Sequence, residues 1–186
     1  GGNTEFVYMK NDMEFEIIGE TKDDAIGECF DKVARTVGLP YPGGIPIDKR
    51  AKLGKHTYKL PTPLSKGYDF SYSGLKTSII NLVNQEKMKK HKININDMCR
   101  SFEDIAVNIV VEKTIRAAKE YKVKQVVVAG GVSANSYLRS EIIKKLKNSG
   151  ISLLLPPLWA TGDNAAMIAK IGEHLYKEKL FAPLSL

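Results

Sequence analysis

Only two cysteines occur in the 186 residues, Cys29 and Cys99, and they lie far apart on segments expected to be helical. That excludes a disulfide scaffold and suits two buried, reduced thiols in a cytoplasmic protein. Histidine is scarce too: His56, His91 and His174 are scattered, and none has metal-ligand spacing with a second His or Cys. HExxH, GxSxG and GxxxxGK(S/T) are all missing, which removes the short signatures of zinc proteases, nucleophile elbows and P-loops. No apolar run approaches the roughly 18 residues a membrane span needs. The single tryptophan, Trp159, suits packing or a pocket lip better than a stacking platform. Residues 1–20 alternate acids with apolar residues, unlike the basic-then-apolar opening of a secretory leader. The first residues are Gly1-Gly2 rather than Met, which points to processing or to a piece of a longer protein.

What is present is an ordinary globular composition, 43% hydrophobic and 26% charged, enough for one domain with a real core. The net charge of +7 is unevenly spread. Residues 1–48 hold 4 basic and 10 acidic residues, and residues 49–186 hold 24 basic and 11 acidic. Between Lys49 and Lys66 six basic residues occur with no acid, and Lys87, Lys89, Lys90 and Lys92 form a second cluster. Such clusters fit a nucleic-acid backbone. A lysine-rich solvated surface accounts for them too, and composition alone favours it.

Residues 5–9 and 14–19 alternate as strands do, with a turn expected at Asn11-Asp12. The period then changes. Ala25, Ile26, Cys29, Phe30, Val33 and Val37 form a helical stripe, with Thr21 or Asp23 as cap and Gly38 as stop. A short basic helix is expected over residues 46–54 and short strands within 57–72. Ser73 should cap a helix to about Lys90, and Asn96 or Asp97 should open the longest one, to about Tyr121. Val126 to Ala129 and Ile151 to Leu155 read as strands buried on both faces of a parallel sheet. Ser133 should cap the helix between them, and a last helix should begin near Asp163. The order implies an α/β fold with a βαβ crossover between residues 126 and 155.

Three places could carry chemistry. Asp24, Gly27, Glu28 and Asp31 share one helix face. A solvated face accounts for the acids, whereas a closely approaching ligand accounts also for a mid-helix glycine, which costs about 1 kcal/mol against alanine. Gly130-Gly131 follows a buried strand and precedes a helix, where open α/β sheets bind ligands and helix N–H groups favour anions. An ordinary βα turn has the same residues, but Asn135 adds a donor and an acceptor that could read a base edge. Asp163, in TGDN, is either an N-cap or a hard oxygen ligand for a cation; local sequence favours the cap.

Seven segments occur in fixed order along essentially the whole chain: GGNT, GECFDK, LPYPGGIPID, DFSYSGLKT, SFEDIA, VVVAGGVSANSYLR and GDNAAMIA. Together they resemble the TsaD family of tRNA threonylcarbamoyltransferases, once described as O-sialoglycoprotein endopeptidases, whose archaeal and eukaryotic relatives sit in the KEOPS complex. The resemblance implies a ribonuclease-H-like lobe of the actin, sugar-kinase and heat-shock-chaperone (ASKHA) superfamily. It implies transfer of threonylcarbamoyl from threonylcarbamoyl-adenylate to N6 of the adenosine beside the tRNA anticodon. Carried over by motif, Gly1 and Gly2 match phosphate-side glycines. Asp31 matches the carboxylate on the ribose hydroxyls, Gly44 and Asp48 the second ribose-side contact, and Asn135 the adenine-side contact. Asp163 matches the aspartate that ligates an iron or zinc ion. No side-chain nucleophile is implied, in accord with finding none.

Two departures from the family pattern stand out. Its SGGHT is here Gly1-Gly2-Asn3-Thr4, which loses a titratable imidazole. The N-terminal lobe, with its His-x-x-x-His metal ligands, is absent from these residues. Residues 1–186 are therefore expected to form the C-terminal lobe, with a helical insertion over about 73–121, and to be inactive alone. One aspartate without the histidines should hold metal weakly. Implied partners are tRNA and either a TsaD-like paralogue with a P-loop ATPase or KEOPS subunits, with no membrane and a cytoplasmic location. An uncovered sheet edge should make the fragment self-associate. The alternative is a non-catalytic nucleotide-binding or assembly module of the same superfamily. The metallopeptidase description has no support in these residues.

Overall fold

The computed structural model describes residues 2–63 and 66–183. Strands β1 (Glu5–Asn11) and β2 (Glu14–Glu20) pair antiparallel, with Val7 opposite Ile17 and Met9 opposite Phe15. The turn between them is Asp12-Met13, one residue later than the sequence suggests. Alternation gives the hairpin two unlike faces. Phe6 stacks on Phe70 at 5.0 Å and Tyr8 meets Tyr121 at 4.9 Å, whereas Val7, Met9, Phe15 and Ile17 stay exposed.

Helix α1 (Ile26–Thr36) buries Ile26, Cys29, Phe30 and Val33, the expected stripe. It stops where Gly38 takes φ +78° and Leu39 N–H returns to the Ala34 carbonyl at 2.8 Å. Its N-cap is Ala25, and neither Thr21 nor Asp23 caps it. The Thr4 hydroxyl oxygen, which lies just before β1 and beside Thr21, accepts the Ile26 N–H at 2.9 Å instead. Asp23 caps a different helix, α3 (Ser73–Met88). Its carboxylate accepts the N–H groups of Tyr72 (2.7 Å) and Ser73 (3.2 Å) and the hydroxyls of Ser71 and Ser73 (both 2.6 Å). Ser73, expected as the cap, is thus a donor to it.

Partial burial pushes the Asp23 carboxyl up, but those four donors outweigh it and hold the group below its ordinary 3.8. A depressed folded value stabilises the protein fully above the unfolded value, and that stability is lost as pH falls through the folded one. Asp23→Ala should therefore cost about 2 kcal/mol at pH 7, where capping contributes. The deficit should shrink towards pH 3, as urea titrations at several pH values would show. A pH-independent deficit would sink this account.

Helix α2 (Gly44–Ala51) starts two residues before expectation, and α4 (Ile95–Glu120) is capped by Asn94, whose side chain accepts Asp97 N–H. No named strand lies within 57–72 among the described residues; only Phe70 bridges to Thr21. The backbone donors of Lys55, Thr57 and Tyr58 go to side chains of α4 instead. Lys55 N–H reaches Asp97 (2.8 Å), and Thr57 and Tyr58 N–H share the buried Ser101 hydroxyl (3.1 and 3.0 Å). His56 meets Asp104 at 2.8 Å. The basic segment is a strap zipped along α4 at an acceptor on each of three successive turns.

Strands β3 (Gln125–Val127) and β4 (Ser152–Leu154) pair parallel, with α5 (Ser136–Leu146) as the crossover. The expectation of burial on both faces is not met: Val126 and Leu153 pack on the core, but Val127 is 56% and Leu154 54% exposed. Helices cover one side only of this pair among the described residues. Helix α6 (Ala165–Lys177) buries none of its residues. The core gathers α1, α3, α4 and α5 around Phe30, Phe102, Ile79 and Ile142. No helix is long and apolar enough to cross a membrane among the described residues.

Candidate nucleotide cleft

Three separate segments, the last about 80 residues beyond the first two, form one cleft of about 260 Å³. Gly27, Phe30 and Asp31 come from α1, Gly44 and Asp48 from α2, and Gly131 and Asn135 from the turn before α5. Helical spacing puts Gly27 and Asp31 one turn apart on the same wall.

The acidic face of α1 divides. Asp24 pairs with Lys76 at 2.7 Å and with Lys32, and Glu28 also reaches Lys32, at 3.4 Å. These two are neutralised outside the cleft. Asp31 alone lines it, and one of its oxygens accepts Gly43 N–H at 2.6 Å, which fixes the 41–44 loop. Gly43 sits close enough to α1 that a Cβ there would lie 2.6 Å from the Phe30 carbonyl oxygen.

Asp48 accepts the Ser136 hydroxyl at 2.6 Å and pairs with Lys52 at 3.2 Å, tying α2 to the start of α5. Gly130 takes φ +85°, so the chain can turn there from β3 into a short 3-10 stretch, Gly131–Ala134. This stretch shifts α5, whose cap is Asn135 rather than Ser133. The Asn135 oxygen accepts Leu138 N–H at 2.8 Å, and its nitrogen donates to Glu103 at 2.7 Å.

Glu103 belongs to the SFEDIA segment, where the resemblance gives it no role. It lies on α4 between Cys99 and Val107, inside the apolar stripe, and is 1% exposed. An acid at that spacing was the available signal. Burial pushes its carboxyl up to about 7; the Asn135 hydrogen bond pulls it back and the nearby Asp48 charge adds to the rise.

Of the carried-over positions, Asp31, Gly44, Asp48 and Asn135 thus converge. Gly2 is exposed beside Glu28 and does not line the cleft, and Gly1 lies outside the described residues. Asp163 is not the cap that local sequence favours: α6 begins two residues later, and Asn164 accepts Met167 N–H at 3.1 Å. Asp163 is exposed and has no hydrogen-bond or ion-pair partner among the described residues. No group of three metal-ligating side chains occurs there either.

Chemically, the cleft offers carboxylates on one wall and a glycine-rich turn at a helix start on the other. That pairing suits hydroxyls and an anion on one ligand. Burial raises the thiols of Cys29 and Cys99 to about 12, so neither is poised as a nucleophile.

The model of the TsaD family, tRNA N6-adenosine threonylcarbamoyltransferase, matches residues 1–170. A protein of that name from Listeria welshimeri is 53% identical over 92% of this chain and 51% of its own length. One from Bacillus subtilis is 52% identical over 96% and 52%, and one from Halalkalibacterium halodurans 45% over 100% and 55%. The chain spans about half the length of these curated relatives. In fold it is similar to the crystal structure of T. kodakarensis HypF, with TM-score 0.60 and 18% identity over 91% of this chain and 21% of that one. The chain belongs to the TsaD family of tRNA N6-adenosine threonylcarbamoyltransferases.

Proposed function

We propose that this chain supplies the adenylate-holding wall of a tRNA threonylcarbamoyltransferase, as a ribonuclease-H-like lobe of the ASKHA superfamily. The observation that carries this is the convergence of Asp31, Gly44, Asp48 and Asn135 on one cleft from three separate segments. Asp31 and Asp48 would accept the ribose hydroxyls. The turn at Gly131 would let backbone N–H groups approach phosphate, and Asn135 would face the adenine. The ligand is threonylcarbamoyl-adenylate, with ATP as a surrogate. Its acyl group is already activated, so the work left to these residues is orientation. The substrate tRNA would meet the strap over 49–59, in a cytoplasmic assembly with the family's partner proteins. The exposed hairpin face carrying Val7, Met9, Phe15 and Ile17 is offered to a protein partner or to a second copy.

Titrating ATP against the chain and its Asp31→Ala variant tests the cleft. The variant should bind roughly tenfold more weakly, the effect of one lost charge-assisted hydrogen bond. Equal affinities would remove Asp31 from the site.

The residues present do not by themselves fit an iron or zinc ion. Asp163 is free to ligate, but no second and third donor stand with it among the described residues. After dialysis the chain should retain far less than one iron or zinc per molecule by elemental analysis. Stoichiometric metal would reveal ligands other than Asp163.

A further inference from the structure

We propose that Glu103 is a positioning residue of the cleft: from beneath Asn135 it fixes the side-chain amide so that an N–H donor faces the ligand. The ligand half of this inference rests on the nucleotide reading above; the positioning half does not.

A primary amide has two N–H donors and one carbonyl oxygen. At Asn135 the oxygen is taken by Leu138 N–H (2.8 Å) and one N–H by the Glu103 carboxyl (2.7 Å). Turning the amide over would set a donor against Leu138 N–H and the carbonyl oxygen against a carboxylate. Both contacts are unfavourable, so the pair selects one orientation. The N–H that remains is the group Asn135 can offer to the cleft it lines. An N–H reads an acceptor, and adenine's ring nitrogens are acceptors.

The fold does not need an acid at this position. Glu103 is buried among Cys99, Phe102, Ala106 and Val107 on α4, where an apolar side chain of similar size would pack as well. Asn135 is the hydrogen-bond partner Glu103 has for its burial. Either protonation state leaves a carboxyl oxygen that can accept from Asn135, and so would the carbonyl of a glutamine. The titratable groups facing Glu103 are Asp48 from α2 and Cys99, Arg100 and Asp104 from its own helix.

The test compares the chain with Glu103→Gln and Glu103→Leu, using ATP affinity and the Asn135 side-chain amide signals by NMR. In the unaltered chain those signals should titrate near pH 7 and exchange slowly with solvent. Glu103→Gln should keep the slow exchange, lose the titration and bind ATP within about threefold. Glu103→Leu should stay folded, exchange the amide protons roughly tenfold faster and bind ATP roughly tenfold more weakly. Unchanged exchange in Glu103→Leu would overturn the positioning role. Should the unaltered chain bind no ATP, the nucleotide reading fails, while the exchange comparison still decides the role of Glu103.

Discussion

Replacing Phe102 by alanine is expected to remove about 3–5 kcal/mol of folding stability. Phe102 is fully buried on α4, and its ring meets that of Phe30 edge-on at 4.8 Å and 67°. Truncation removes a large apolar area, leaves a cavity between α1 and α4, and breaks an aromatic pair worth about 1 kcal/mol by itself. Neither helix can move in to fill the space. α4 is pinned by the strap at Asp97, Ser101 and Asp104, and α1 is held at its start by Thr4. Domains of this size have about 5–15 kcal/mol in total, so the variant should unfold near half the urea concentration that unfolds the original. The loss should also reach function, because Phe30 lines the cleft. Phe102→Leu should recover most of the stability. A loss under about 1.5 kcal/mol for Phe102→Ala would mean that the α1–α4 joint is not a tight contact.

Short-range pattern showed in the sequence wherever short-range physics decides. The α1 stripe from Ile26 to Val33, the stop at Gly38 and the strand–turn–helix order around Gly130 all depend on neighbours within one or two turns. Capping is different. Asp23 looked like a cap for α1 because it lies just before it, yet it caps α3, fifty residues on. Nothing local distinguishes the two uses of one carboxylate. The same holds for Asp163, displaced from its expected capping role by the neighbouring Asn164.

Long-range pairing defeated two further expectations. Short strands are expected within the Pro-, Gly- and Tyr-rich residues 57–72, but the N–H groups of Thr57 and Tyr58 go to Ser101 on α4 and only Phe70 makes a bridge, to Thr21. Val126 to Ala129 is apolar throughout, which suits a strand covered twice, yet Val127 is more than half exposed while Val126 packs on the core. A continuous apolar run says that a segment is to be covered, not by what. Within the cleft, helix-face spacing points to Asp31 and the strand–turn–helix order to Asn135, whereas Gly44 and Asp48 come from motif resemblance alone and Glu103 shows only as an acid inside an apolar stripe.

Gly43→Val should produce the sharpest loss at the cleft itself. The φ of Gly43 is −74°, a value any residue adopts, so no left-handed conformation requires glycine there. Space requires it. A Cβ would stand 2.6 Å from both the Phe30 carbonyl oxygen and the Ala34 Cβ, and 2.9 Å from the Asp31 Cα. Two of those three atoms are α1 backbone, which cannot rotate aside as a side-chain tip would. The loop must lift, and lifting breaks the 2.6 Å bond from Gly43 N–H to Asp31. Gly43→Ala should cost about 2 kcal/mol and Gly43→Val about 3 or more, since forced overpacking has that range. Both should lose ATP binding along with the wall that Asp31 and Gly44 share. The neighbouring glycine is the control. A Cβ on Gly44 would meet nothing within 4 Å, so Gly44→Ala should leave stability within about 0.5 kcal/mol of the original. Thermal melts of the three variants decide between them. If Gly43→Val melts with Gly44→Ala, the close approach of the loop to α1 is not what closes this side of the cleft.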